Sequence, residues 1–210
     1  MTKTLPHDLF EAESQIQESI VSTSINSSKK LFTINLLFQN LRINPILKRI
    51  CSKLSERDIG FYIIWPDEGA SALCKRDLEE FSDYIFSFNR FIKEKPNLNE
   101  YKVLLAINPQ PFDFDQFKEI CESYSGKIFM INGKLEDIAI GIGNVGRERR
   151  KQFISSWEYI YWLQPINKGA IMKLYQSNWI LFKLDEDGYR YCESFEIKPD
   201  EESILEAFNK

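Results

Sequence analysis

Histidine is almost absent: of 210 residues only His7 carries an imidazole. That excludes Ser-His-Asp and Cys-His catalysis unless His7 itself takes part, and it excludes every metal site needing two histidines. Cysteine is scarce as well. Cys51, Cys74, Cys121 and Cys192 are widely spaced with no C-x-x-C pair, and three of them fall on apolar helix faces, so buried reduced thiols are expected rather than disulfides or a metal cluster. No apolar run approaches the roughly 18 to 20 residues that a membrane span requires, so no transmembrane segment is expected. The N-terminus has no apolar signal-peptide core, and Asp8 and Glu11 are wrong for an organelle transit peptide, so a chain that acts where it is made, or a mature form, is expected. A basic excess is missing too: 27 Lys and Arg stand against 31 Asp and Glu, a net charge of −4. This argues against a dedicated nucleic-acid binder. No G-x-x-x-x-G-K-S/T, G-x-S-x-G or H-E-x-x-H occurs, so no catalytic residue, metal ligand or cofactor is assigned.

Aromatic residues are plentiful, at 14% of the chain, which supplies the apolar surface a folded core needs. Apolar periodicity gives a helix from Leu5 to about Ile25, with a stripe at Leu9, Ala12, Ile16 and Ile20. Leu31 to Phe38 reads as a buried strand. Asn44-Pro45 then opens a helix striped by Ile46, Leu47, Ile50, Cys51 and Leu54. A second strand, Ile59 to Trp65, ends at Pro66-Asp67-Glu68-Gly69, and Ala70 to Lys75 begins a short helix. Leu78, Phe81, Ile85, Phe88 and Ile92 are spaced as a longer helix stopped by Pro96. Tyr101 to Asn108 is a third strand, Asp113 opens a helix through Tyr124 that ends at Gly126, and Lys127 to Asn132 is a fourth strand.

Strands alternating with helices imply parallel pairing through crossovers. After Gly146 the texture changes to a basic helix, Arg147 to Trp157. Four antiparallel strands are then expected at about Tyr159 to Leu163, Gly169 to Tyr175, Asn178 to Leu184 and Tyr189 to Ile197, with Asp187-Gly188 as a hairpin turn and a last helix capped by Asp200. The expected fold is α/β: a mostly parallel four-stranded sheet with flanking helices, a C-terminal antiparallel meander and a short terminal helix. One domain over 1–210 is expected, with an α/β part to about 140 and the basic helix and meander from about 147.

Three features carry functional readings. In open α/β sheets ligands sit outside the carboxyl ends of the strands, where Asp67, Glu68, Asn108 and Asn132 fall; the same residues are ordinary caps and turn formers. Gly141-Ile142-Gly143-Asn144-Val145-Gly146 matches G-x-G-x-x-G, either a pyrophosphate or other anion cradle at Gly141 and Gly143 or a tight turn into the helix. Arg147, Arg149, Arg150 and Lys151 crowd the first turn of that helix, where the dipole favours anions. They are either a solvated face paired with Glu148 and Glu158 or a surface for an anionic partner. The meander concentrates Trp157, Tyr159, Tyr161, Trp162, Tyr175, Trp179, Tyr189 and Tyr191, either as cross-strand packing or as an exposed binding face.

The order of these blocks resembles a domain-of-unknown-function family that is widespread in cyanobacteria and typified by the chloroplast low photosystem II accumulation protein. The matching residues are Leu5-Pro6, Trp65-Pro66-Asp67-Glu68-Gly69, Asn108-Pro109, Gly141-Ile142-Gly143 leading to Arg147-Glu148-Arg149 and Phe153, then Tyr159 to Pro165, Gly169, Tyr175, Trp179 and Lys198-Pro199. One departure is Gln176 in Tyr175-Gln176-Ser177-Asn178-Trp179, where the family often has Pro after the Tyr. A similar domain is fused to adenylate kinase in some plants, but the kinase phosphate loop is missing here. The resemblance implies a photosynthesis-linked accessory or assembly factor, non-catalytic and associated with photosystem II. It would bind a photosystem II subunit through Arg147, Arg150, Trp162 and Trp179, from the cytoplasm of a cyanobacterium or the plastid stroma and with peripheral thylakoid association. The alternative expectation is a small-ligand or nucleotide-binding domain, enzymatic or not, using the carboxyl-end crevice.

Overall fold

The computed structural model describes residues 4–96, 103–135 and 144–209. Strand sequences without polar alternation, such as Phe61–Trp65 and Val103–Ile107, need cover on both faces, and the chain supplies it with helices on each side of one sheet. Helix α1 (Leu9–Asn26) is capped by Asp8, which accepts from the Glu11 N–H at 2.8 Å, and buries Ala12, Ile16 and Ile20 as the periodicity predicts. Strand β1 is Leu31–Leu36. Helix α2 (Ile43–Glu56) buries the expected stripe but starts one residue earlier than Asn44, leaving Pro45 in the first turn, where no intrahelical N–H is needed. Strand β2 (Phe61–Trp65) leads to α3 (Glu68–Asp77), capped by Asp67.

The helix expected through Leu78 to Ile92 is corrected. The segment forms a 3-10 turn at Glu79–Tyr84, a short strand β3 (Ile85–Ser87) and α4 (Phe88–Glu94), whose cap is the Ser87 hydroxyl. Adjacent Ile85 and Phe86 are both buried, in different core clusters on opposite sheet faces. A strand can place neighbours on opposite faces and an amphipathic helix cannot, so pairing overrides the period. Strand β4 (Val103–Ile107), helix α5 (Phe114–Ser123), strand β5 (Lys127–Ile131) and helix α6 (Asn144–Ser155) follow.

The sheet has nine strands in the order β3-β2-β4-β5-β1-β6-β7-β8-β9. Strand β6 (Glu158–Ile166), expected as the first strand of the meander, pairs parallel with β1 on one side and antiparallel with β7 (Gly169–Leu174) on the other. The reason is α6, a crossover that returns the chain to the same edge and makes a further parallel pair. Strands β8 (Trp179–Asp185) and β9 (Gly188–Phe195) complete the expected meander. Gly188 at the hairpin has φ +127°, as the turn chemistry requires. Helix α7 (Glu201–Phe208) closes the fold. An α/β architecture with a parallel core, flanking helices, meander and terminal helix is thus observed, with more strands than the four-plus-four expected.

Right-handed crossovers decide which helix lies on which face. Connections running toward β3 put α2 and α3 on one face, joined by α1, over Phe32, Ile34, Leu36, Phe61 and Ile63. Connections running back put α4, α5 and α6 on the other, over Tyr62, Ile64, Leu104, Ile128 and Met130. Helix α7 covers Trp162, Ile171, Trp179 and Leu181 farther along that second face.

Candidate functional site

All carboxyl ends of the parallel strands open to one edge, and the expected crevice is there, divided into two adjacent clefts. The first, of 430 Å³, is lined by Leu36, Trp65, Ile107, Asn108, Asn132 and the chain following β1. Asn108 and Asn132 each end a strand with φ +53°, the left-handed region that asparagine tolerates. Asn132 is committed to structure: its Oδ1 accepts from the Leu36 N–H at 2.7 Å and its Nδ2 donates to the Leu36 carbonyl at 3.2 Å, tying β5 to β1. Asn108 Oδ1 accepts from Gln110 Nε2 at 2.9 Å.

Asp67 and Glu68 do not line that cleft. Asp67 accepts from the Ala70 N–H at 2.8 Å as the cap of α3, and the Glu68 carboxylate accepts from the Ser87 hydroxyl, linking α3 to the start of α4. Cap chemistry therefore accounts for Asp67, and a contact between two helix starts accounts for Glu68. Nearby, burial raises the Asp113 carboxyl above the usual range against the hydrogen bond from the Gln110 N–H, and the Asp67 charge adds to the rise. Gly141 and Gly143 lie outside the described residues.

The residues expected to meet a protein partner fall in different places. Arg147, Arg149 and Lys151 stand exposed on α6. Arg150 is half-buried, its guanidinium carbon 4.3 Å from the Phe114 ring centroid. Its Nη1 is shielded from solvent and finds no hydrogen-bond partner among the described residues. None of the four cations has a carboxylate within 4.0 Å among the described residues; Glu158, the partner considered from the sequence, pairs with Lys29 at 3.5 Å. Trp162 and Trp179 are a correction: they are 5% and 3% exposed and form an edge-to-face trio with Tyr159, at centroid distances of 5.3 to 5.6 Å. Cross-strand packing beneath α7 claims them, leaving no open indole face for a protein.

A second cleft, of 330 Å³, opens on the α7 side of β1 and β6. The register sets Asn35 directly beside Trp162, and Gln164, Gly133, Lys134 and Lys198 complete the lining with Leu37. The Trp162 indole N–H donates to Gln164 Oε1 at 3.1 Å, and Lys198 Nζ lies 3.9 Å over the Trp162 ring. Asn35 is 4% exposed, and its Oδ1 has no donor among the described residues. Gly133 is required by contact: a Cβ there would meet Met130 Sδ at 2.4 Å and Pro109 Cγ at 3.1 Å. Of this cluster the sequence marks only Trp162 as a binding candidate, and Lys198 only within the family resemblance. The available signal was Thr33 and Asn35, polar residues on alternate positions of a strand otherwise read as wholly apolar.

Among the described residues no group of three or more His, Cys, Asp or Glu side chains is placed to hold a metal ion. No helix among them is long and apolar enough to cross a membrane. No curated protein matches the chain. The model of one family, the domain of unknown function DUF1995, matches residues 6–206. The chain belongs to the DUF1995 family across nearly its whole length.

Proposed function

We propose that this chain is a non-catalytic accessory or assembly factor of photosynthetic membranes, acting in photosystem II biogenesis by holding an acidic, solvent-facing segment of a subunit. The tie to the low photosystem II accumulation protein rests on the sequence resemblance set out above, as does its placement in a cyanobacterial cytoplasm or plastid stroma at the membrane periphery. The observation that carries the binding surface is the exposed pair Arg147 and Lys151, four residues apart on one face of α6 and without carboxylate partners among the described residues, on a chain of net charge −4. Such a pair offers charge complementarity and fast encounter more than raw affinity.

Helix α6 can present the pair firmly, because Phe153 and Trp157 pack on the α5 side of the core, with the Phe153 ring 5.3 Å from Phe114 and 5.7 Å from Trp157. Arg150 folds back onto that core, so Lys151 replaces it beside Arg147 in the proposed surface. Affinity capture from solubilised photosynthetic membranes tests the reading. The parent chain should enrich a photosystem II subunit, and Arg147→Glu with Lys151→Glu should cut that recovery at least tenfold and lower photosystem II accumulation. Recovery of no photosystem subunit, with normal accumulation in the charge-reversed strain, would overturn it.

A second reading, a small-ligand-binding α/β domain, has its own observation: the polar cleft beside Trp162 at the carboxyl ends of β1 and β6.

A further inference from the structure

We infer that the cleft between β1, β6 and the turn before α7 is a binding site for a small neutral polyol, of the monosaccharide or cyclitol class. The site rests on the second reading above and shares no residue with α6, so the surface assigned to a protein partner can fail without it.

The uncharged groups of the cleft come first. Asn35 is 4% exposed and lines the cleft beside Trp162, and its Oδ1 has no donor among the described residues. A buried carboxamide in that state is costly, and a polar group supplied from the cleft relieves it. Turning a carboxamide over exchanges its oxygen and nitrogen, and a hydroxyl, which both donates and accepts, bonds whichever end faces it. Gln164 lies two residues beyond Trp162 on the same face of β6, diagonal to Asn35. Its Oε1 is taken by the Trp162 indole N–H at 3.1 Å, which leaves its amide hydrogens for a ligand oxygen. Two carboxamides set diagonally across one strand pair match neighbouring hydroxyls on one ring.

Size and wall chemistry narrow the class. At 330 Å³ the cleft is at the lower end of the about 300 to 1,000 Å³ common for ligand sites, the scale of a single ring. Leu37 and Trp162 supply apolar wall beside the two carboxamides, and a polyol ring carries the same mixture of C–H edges and hydroxyls. Those hydroxyls also reproduce the hydrogen bonds of the water they displace. A stacked base has no platform, because the Trp162 ring lies under Lys198 and is met edge-on by Tyr159 and Trp179. Neither lysine of the lining is needed as a charge, since both amides are neutral and read a neutral group. A ligand charge would have to be desolvated against two amides and an indole, so adding a phosphate should gain little.

Isothermal titration calorimetry on the full chain tests the site with four probes: glucose, myo-inositol, glucose 6-phosphate, and tetrahydropyran-2-methanol, a ring stripped of its vicinal hydroxyls. The better of glucose and myo-inositol should bind at least tenfold more tightly than the stripped ring, and glucose 6-phosphate should exceed glucose by threefold at most. Asn35→Leu, with its fold checked by circular dichroism, should weaken polyol binding at least tenfold. Gln164→Leu should weaken it at least fivefold, whereas Lys48→Gln on α2 should not change it. The proposal is overturned if neither polyol binds, if the stripped ring comes within tenfold of the better polyol, if glucose 6-phosphate exceeds glucose more than threefold, or if Asn35→Leu binds like the parent. Binding of the stripped ring or the phosphate ester that Asn35→Leu abolishes would remove the polyol class and leave the second reading standing; no binding by any of the four would remove both.

Discussion

The two faces of the sheet are built to different ends. On the face covered by α1, α2 and α3 a single apolar cluster runs from Cys74 and Phe61 to Phe182. The charge buried beside it, Glu13, is met by Arg49 through Nε at 2.5 Å and Nη2 at 2.6 Å. On the other face the core is divided into one cluster under α4, α5 and α6 and another under α7, with a polar cleft between them at the carboxyl edge. Strand β1 displays the difference within one segment. Phe32, Ile34 and Leu36 point into the continuous core, while Thr33 and Asn35 face the divided side. One face is closed for stability, and the other keeps a polar slot that packing alone would have filled.

Substitutions on the two faces should separate these roles. The largest effect belongs to Phe129→Ala, which removes a fully buried ring stacked 5.0 Å from Phe32; urea unfolding should register a loss of about 3 to 5 kcal/mol. Next is Arg49→Ala, which leaves Glu13 buried without its cation. Because the Arg49 side chain is 45% exposed, the expected loss is about 2 to 3 kcal/mol, under the figure for a fully buried pair. Asn35→Leu should go the other way. Removing an unpartnered buried carbonyl in favour of an apolar group of similar size should leave stability unchanged or raise it by up to about 1 kcal/mol. A large loss there would erase the contrast between the faces.

The smallest effect concerns acid. Asp200 caps α7 by accepting from the Ser203 N–H at 2.9 Å, and hydrogen bonds from Ser203, side chain and backbone, hold its carboxyl below the usual range. Its folded pKa lies below the unfolded one, so its stabilisation is present above about pH 4 and is lost as pH falls through the folded value. Amide exchange should show α7 loosening on acidification before α2, whose cap Arg42 uses no side-chain carboxylate.

Much of this architecture was legible from local pattern: the stripes of α1, α2 and α5, the apolar strands β2, β4 and β5, and the Asp187-Gly188 hairpin all follow periods and turn chemistry that act over a few residues. Pairing partners were not. Ile85-Phe86-Ser87 falls inside a helical spacing, and only a place at the sheet edge beside β2 makes it a strand. Strand β6 reads like its antiparallel successors because parallel and antiparallel partners ask for the same residues. The site was legible in part for the same reason. The strand-end rule located the crevice and Asn108 and Asn132 in it, but Asp67 caps α3 and Glu68 bonds Ser87 instead. The second cleft joins Asn35, Trp162 and Lys198 from opposite ends of the chain, and no sequence spacing records that a parallel register puts Asn35 beside Trp162. The aromatic concentration in the meander was visible, and burial turned two of its tryptophans from surface candidates into core.

The most direct test of the open face is the indole N–H resonance of Trp162 in a nitrogen-15 labelled chain titrated with the tighter binder of glucose and myo-inositol. Trp162 floors the proposed site and Trp65 lines the neighbouring cleft, so the four indole signals of the chain separate the two. A site beside Asn35 predicts that Trp162 moves most and Trp65 stays in place. Movement of Trp65 with Trp162 unmoved, or no movement of any indole, would contradict it.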